Sequence, residues 1–180
     1  MGDAMTLLPD ARRALDRTLQ LILLLLMLAI TLIVVYGVIM RTIGRSPSWY
    51  DEIAAIILCW ITYFGAAYAA LKRAHIGFEG LINVMPPALR IAAVALGEAL
   101  VIGFFALMGW MGMRVLRVLE GDGLVSLPWV PLQLTHAIIP MGAVFFIAAQ
   151  LMSLPDYLAQ ARAGVLGKKD MDEPPKERLE

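Results

Sequence analysis

The fold class is decided by one stretch, residues 47–78, which has the sequence PSWYDEIAAIILCWITYFGAAYAALKRAHIGF. Two carboxylates, Asp51 and Glu52, stand directly before nineteen uncharged residues. Two cations, Lys72 and Arg73, follow that run. A helix of about 20 apolar residues crosses a hydrocarbon core roughly 30 Å thick. The stretch therefore predicts a membrane-spanning helix with charges of opposite sign at its two ends.

Three further apolar blocks of similar length occupy residues 19–40, 91–113 and 132–154. The chain is 60% hydrophobic and 17% charged, whereas soluble domains carry about 45–50% apolar and about 25% charged residues. The first block is too long for the apolar region of a signal peptide, so we expect it to be retained. The sequence predicts an all-α integral membrane protein with four transmembrane helices.

The distribution of Lys and Arg predicts the orientation. Eleven of them lie before the first block, between the second and third blocks, or after the fourth block, and four lie in the other two loops. The positive-inside rule then places both termini in the cytoplasm of a multi-pass inner-membrane protein. We expect a cytoplasmic segment at 1–18, a four-helix transmembrane domain at 19–155, and a cytoplasmic, disordered tail at 156–180.

The connection between the second and third helices, residues 72–90, has mixed polarity and predicts a segment lying at the membrane surface. Its apolar residues are expected to face lipid: Phe78, Leu81, Ile82 and Met85. Pro86 and Pro87 predict the start of the third helix, which continues to Arg117.

The second helix carries two kinds of face. Ser48 and Asp51 have the spacing of a capping box, and carboxylates in a first turn complement the helix dipole. Helical spacing also predicts a face of small residues: Ala55, Cys59, Thr62, Ala66 and Ala69. A bulky face opposes it: Ile53, Ile56, Trp60 and Phe64. Small faces favour close helix packing in lipid, within the chain or on another chain, and both possibilities stay open.

Candidate chemical sites are few. The sequence has no catalytic motif and no Cys/His cluster, so we expect neither enzyme activity nor a metal or other cofactor. His75 and His136 are predicted at opposite membrane faces, which disfavours haem ligation. Glu98, the one charge inside an apolar block, is a functional candidate by default. Pairing with a polar neighbour, as a brace between helices, is the favoured interpretation.

An ordered set of residues resembles a known family. It comprises W-Y-D-E at 49–52, Trp60, F-G-A-A-Y-A at 64–69, R-A-H-I at 73–76 with Glu79, L-P at 127–128 and P-M-G at 140–142. The set resembles the small, DctQ-like membrane subunit of tripartite ATP-independent periplasmic (TRAP) transporters, over roughly residues 12–155. Asp51 stands where the family more often has Glu, and Glu79 where it often has Asp.

The resemblance implies partners and a function. Such subunits pair with a large multi-span membrane subunit and an extracytoplasmic solute-binding protein, and together they take up an organic acid with a sodium gradient. The small subunit would brace the large one and help to dock the binding protein. Seven residues become candidates for partner contact: Trp49, Asp51, Glu52, Trp60, Ala66, Arg73 and His75.

The alternative function is a stand-alone small exporter that works as a homodimer. Glu98 would then be its proton-coupled site, because a membrane carboxylate is the usual requirement of such exporters. The position of Glu98 towards one end of its helix disfavours this alternative.

Overall fold

The computed structural model describes residues 3–74 and 79–166, with only the backbone described for 3–10 and 79–80. Six helices account for most of these residues: α1 Asp3–Thr42, α2 Tyr50–Lys72, α3 Glu79–Val84, α4 Pro87–Val118, α5 Leu132–His136 and α6 Ile138–Ala163. Within the described part of the chain, the only β pairing is an isolated bridge between Gly123 and Pro131. The predicted all-α class is confirmed.

Among the described residues, four helical segments are long and apolar enough to cross a membrane: Ala11–Thr42, Tyr50–Lys72, Pro87–Val118 and Leu132–Ala163. The predicted start of the third span is also correct. Pro86 is the extended N-cap of α4 and Pro87 is its first residue, where the fixed φ of proline suits a helix and its missing N–H costs nothing.

The long helices follow one another in space in the order α1, α2, α6, α4. Their common core is a cluster of buried side chains: Leu19, Phe64, Ala67, Ala70, Leu71, Ile138, Phe146 and Ala149. Small residues let the helices approach closely. A Cβ on Gly142 of α6 would lie within 3 Å of the Tyr63 ring of α2, so glycine is required at this crossing.

The fourth apolar block is interrupted, although the sequence predicts one continuous helix. α5 ends at His136 and α6 begins at Ile138. Pro140 has no N–H to donate to the carbonyl of His136, and its ring crowds that carbonyl, which explains the break. The Trp60 indole donates to the carbonyl of Thr135 in this region, at 3.3 Å.

The prediction of a disordered tail from residue 156 is wrong for residues 156–163. α6 contains Pro155 and continues to Ala163, where Gly164 ends it with a φ of 73°. Ala161 and Leu166 are buried and pack with Val94 of α4, so burial of apolar surface orders this segment. Residues 167–180 lie outside the described residues.

The surface segment between α2 and α4 contains the short helix α3. Leu81 is 62% exposed, in keeping with a lipid-facing position, but Ile82 packs against the cluster of Val94, Ala161 and Leu166. The Asn83 side chain also bonds the backbone N–H and carbonyl of Leu166. The prediction that Ile82 faces lipid is therefore wrong, because the extended α6 covers it. Phe78 and His75 lie outside the described residues.

Candidate functional site

Glu98 lies on α4 in a polar cluster formed with Arg73, Gln150 and Ser153. It is 9% exposed. The Arg73 guanidinium donates from Nη1 to Oε1 of Glu98 and from Nη2 to Oε2, the latter at 3.5 Å. The Gln150 amide donates to Oε2 at 2.7 Å. Both carboxylate oxygens are thus occupied by donors from the other two helices of the cluster, α2 and α6.

Arg73 also donates hydrogen bonds to α6. Its Nε donates to Ser153 Oγ at 2.8 Å and its Nη2 to the carbonyl of Gln150 at 3.2 Å. Its Cζ lies 4.4 Å from the centre of the Tyr157 ring. One guanidinium therefore joins three helices, and the cluster has the form of a brace with directional contacts on every side.

The backbone at Arg73 explains how a residue at the end of α2 reaches this position. Arg73 is the C-cap, with a φ of 53°, and its N–H bonds back to the carbonyls of Ala69 and Ala70. A left-handed residue other than glycine costs about 1–3 kcal/mol and persists where its surroundings hold it. The contacts to Glu98 and Ser153 provide that constraint.

Arg90, which precedes Glu98 by two turns on the same face of α4, has other partners. Its guanidinium donates to the backbone carbonyls of Asn83 and Arg162. It fastens the α3 segment and the end of α6 to α4, and the structure brings Arg73 rather than Arg90 to Glu98.

At the opposite end of α2, Glu52 holds the loop between α4 and α5. Its carboxylate accepts the backbone N–H of Val125 at 3.1 Å and that of Ser126 at 2.9 Å. Ser126 Oγ donates in turn to the carbonyl of Ser48. This loop is closed on itself by backbone bonds between Leu124 and Val130 and between Asp122 and Leu132.

The predicted capping box is wrong. The N-cap of α2 is Trp49, with a φ of −91° and a ψ of −18°, and no side chain caps it. Ser48 lies outside the helix, where its carbonyl accepts from Ser126. The Trp49 ring stacks on Tyr36 of α1, with the ring centroids 6.0 Å apart.

α2 presents one uncovered side, which we call the open face and define by Asp51, Ala55, Leu58, Cys59 and Thr62. All five residues are exposed. The bulky side of the helix is turned inward instead, with Phe64 only 2% exposed and Trp60 in edge contact with its ring. Ala66 and Ala69 continue the predicted small face but are half-buried.

Six of the seven predicted partner residues are described, all except His75, and they are distributed over three places. Asp51 lies on the open face. Contacts within the chain occupy four of them: Trp49, Glu52, Trp60 and Arg73. Ala66 packs against the core cluster. Sequence reasoning missed Gln150 and Ser153. Their signal was available, since both are polar residues inside an apolar block, but only formal charges were counted.

Comparison with known proteins adds the family. The profile described as "Tripartite ATP-independent periplasmic transporters, DctQ component" matches residues 30–158. The chain belongs to the DctQ family. The predicted resemblance is thus confirmed, and DctQ proteins are components of transporters rather than known enzymes. The matched region holds the open face, the Glu52 contacts and the polar cluster.

A curated relative agrees with this assignment. The chain is 31% identical over 103 residues to the C4-dicarboxylate TRAP transporter small permease protein DctQ of Rhodobacter capsulatus. The match covers 56% of this chain and 44% of the relative, so it spans less than half of that protein's length.

Proposed function

We propose that this DctQ chain is the small membrane subunit that braces the large membrane subunit of a TRAP transporter through the open face of α2. The end of α2 that carries Asp51 would help to dock the solute-binding protein. The complex would use a sodium gradient to take up an organic acid across the inner membrane, with both termini of this chain in the cytoplasm.

The observation that carries the proposal is the contrast between the open face of α2 and the exposed surface of α1. α1 exposes large apolar side chains such as Leu24 and Leu32, each more than 60% exposed, which is what contact with acyl chains favours. The open face has mainly small side chains, including Ala55, Cys59 and Thr62. Small residues allow two helix backbones to approach, and close packing is the main source of helix association in lipid.

The proposed docking role rests on the outer end of α2. Asp51 is exposed, while the neighbouring Glu52 is engaged with the loop at 125–126. That loop is thereby held beside Asp51, giving a rim with a fixed shape. A carboxylate on such a rim can steer a charged partner by long-range attraction.

The solute class is proposed from the relative, whose name includes C4-dicarboxylate. An organic acid agrees with the resemblance in the sequence. Selectivity would lie in the large subunit and the binding protein, since the polar cluster of this chain is filled by its own side chains.

The exporter alternative has less support. A proton-coupled site needs a carboxylate that can exchange protons and bind a solute, whereas both oxygens of Glu98 accept hydrogen bonds from Arg73 and Gln150. These contacts favour the brace.

Purification of the tagged full chain from its native membrane tests the proposed function. The expected result is co-purification of a larger multi-span protein, identified by mass. Recovery of homodimers without any such protein would support the exporter instead.

A further inference from the structure

The loop between α4 and α5, residues 119–131, presents two large apolar side chains to its surroundings. Val125 is 93% exposed and Trp129 is 78% exposed, although water disfavours the exposure of so much apolar surface. Leu124, next to Val125, is only 4% exposed, so the loop has a buried side of its own. Val125 and Trp129 belong neither to the polar cluster nor to the open face of α2.

The backbone of this loop is held in place next to both exposed side chains. Glu52 accepts the N–H of Val125 at 3.1 Å. The N–H of Leu124 bonds to the carbonyl of Val130, the residue after Trp129, at 3.0 Å. The exposure of the two side chains is therefore a property of the fold.

Hydrogen bonds fasten the loop at the level where the apolar runs of the helices end. The run of α2 begins directly after Glu52, whose carboxylate accepts the N–H of Ser126. The apolar block of α4 ends before Arg114. Two residues later, the carbonyl of Leu116 accepts from Gln133, in the first turn of α5, at 2.9 Å. Because the ends of apolar runs mark the limit of the hydrocarbon core, the loop lies in the headgroup layer.

The surface of α4 next to this loop supports the same level. Trp110 is 64% exposed, and the Arg114 guanidinium lies over its ring, with Cζ 5.9 Å from the ring centre. An aromatic ring beside a cation on a long apolar stem is typical of the level at which a helix leaves the hydrocarbon. On the other side of this level, α4 has an exposed apolar stripe with helical spacing: Leu100, Phe104, Leu107 and Met111.

We propose that the loop anchors the chain in the headgroup layer of the bilayer, with the side chains of Val125 and Trp129 inserted between lipid molecules. Trp is favoured at this level because its ring is apolar while its N–H can donate to water or to lipid oxygens. Insertion would fix the depth of α2 and α5, since the loop is bonded to both. The proposal is independent of the transport function, and docking would then depend on Asp51 rather than on these two side chains.

Spin labels on the full chain, reconstituted in vesicles of phosphatidylethanolamine and phosphatidylglycerol, test this placement. Cys59→Ser removes the single native cysteine, and labels are then attached in the variants Val125→Cys and Trp129→Cys. Molecular oxygen concentrates in lipid, whereas a nickel chelate stays in water, so the ratio of their collision rates with a label reports its depth. The controls are Leu107→Cys, on the apolar stripe of α4, and Glu120→Cys, at an exposed position of the same loop.

The oxygen-to-nickel ratio at positions 125 and 129 should exceed the ratio at 120 and approach the ratio at 107. A ratio at both positions as low as that at 120 would place them in water and overturn the proposal. Protection of both labels from both reagents would also overturn it, because that result indicates burial in protein.

Fluorescence of the unlabelled protein guards against misfolding of the cysteine variants. The difference between the wild-type spectrum and that of Trp129→Phe isolates the emission of Trp129. Phosphatidylcholine with brominated acyl chains should quench that emission, and aqueous iodide should affect it little. Quenching by iodide alone would overturn the proposal. Shielding from iodide that appears only when the solute-binding protein is added would also overturn it, in favour of a protein dock.

Discussion

Arg73, at the C-cap of α2, and Glu98, within α4, form an ion pair although 25 residues separate them in the sequence. Their helices are not neighbours in the order α1, α2, α6, α4, so the pair reaches past α6 and uses Gln150 and Ser153 of that helix as intermediate partners. One charged residue from each of α2 and α4 therefore fixes the relative position of three helices, α2, α4 and α6.

Removing either partner of this pair should destabilise the fold. Arg73→Met or Glu98→Leu alone leaves a charge with little solvent, which costs about 3–5 kcal/mol. The double variant Arg73→Met, Glu98→Leu should recover much of that loss, because no charge is then left unpaired. Unfolding of the full chain in mixed micelles measures these differences. Strictly additive losses would show that the two side chains do not act as a pair.

The variant Glu98→Gln distinguishes between two roles for Glu98, a structural brace and a proton-coupled site. The amide oxygen can still accept from Arg73, and the side chain keeps its shape, so the complete transporter should retain most of its uptake rate. Uptake measured with the binding protein present checks this. A complete loss of uptake with normal assembly would instead favour the exporter.

Glu52 should matter for the loop that it holds. Glu52→Ala removes the acceptor for the N–H groups of Val125 and Ser126, so these two amides should exchange with solvent faster. Asp51→Ala, at the adjacent position, is the control and should leave their exchange unchanged. Hydrogen exchange with peptide-level mass analysis can measure both. Equally faster exchange of these amides in both variants would show that Glu52 has no special role in holding the loop.

Asp51 should matter for docking rather than for folding. Asp51→Asn keeps the size and the hydrogen-bonding capacity of the side chain, so the variant is expected to assemble normally. It should need more binding protein for half-maximal uptake at low ionic strength. The difference from wild type should shrink as salt rises, since screening weakens long-range attraction. An unchanged requirement for binding protein at low salt would exclude Asp51 from the dock.

The sequence was a good guide to whatever is local along the chain. Hydropathy located the four spans because every spanning helix must be apolar over about 20 residues. Proline chemistry located the start of α4 at Pro87. The small face of α2 was also visible from helical spacing, but which side of the helix would remain uncovered depended on packing.

Sequence reasoning missed the contacts between segments that lie far apart in the sequence. Spacing along α4 places Arg90 on the same face as Glu98, but the ion-pair partner of Glu98 is Arg73. That contact depends on how α2, α4 and α6 pack together, which local spacing does not reveal. The same applies to Glu52, whose partners lie in a loop more than 70 residues away. Gln150 was missed because only formal charges were counted. The break between α5 and α6 near Ala137 was missed because the hydrogen bond that Pro140 cannot make was not considered.

The central claim is that the open face of α2 contacts the large membrane subunit. Its most direct test is the yield of that subunit co-purified with the tagged chain, compared between wild type and the double variant Ala55→Leu, Thr62→Leu. Each substitution adds bulk where a second helix would pack, and overpacking costs about 1–3 kcal/mol. The control Ala92→Leu, Ala106→Leu adds the same residues at exposed positions of α4.

We predict that the open-face variant inserts and folds like wild type but loses most of the large subunit, whereas the control variant retains it. Full recovery of the large subunit with the open-face variant would contradict the account.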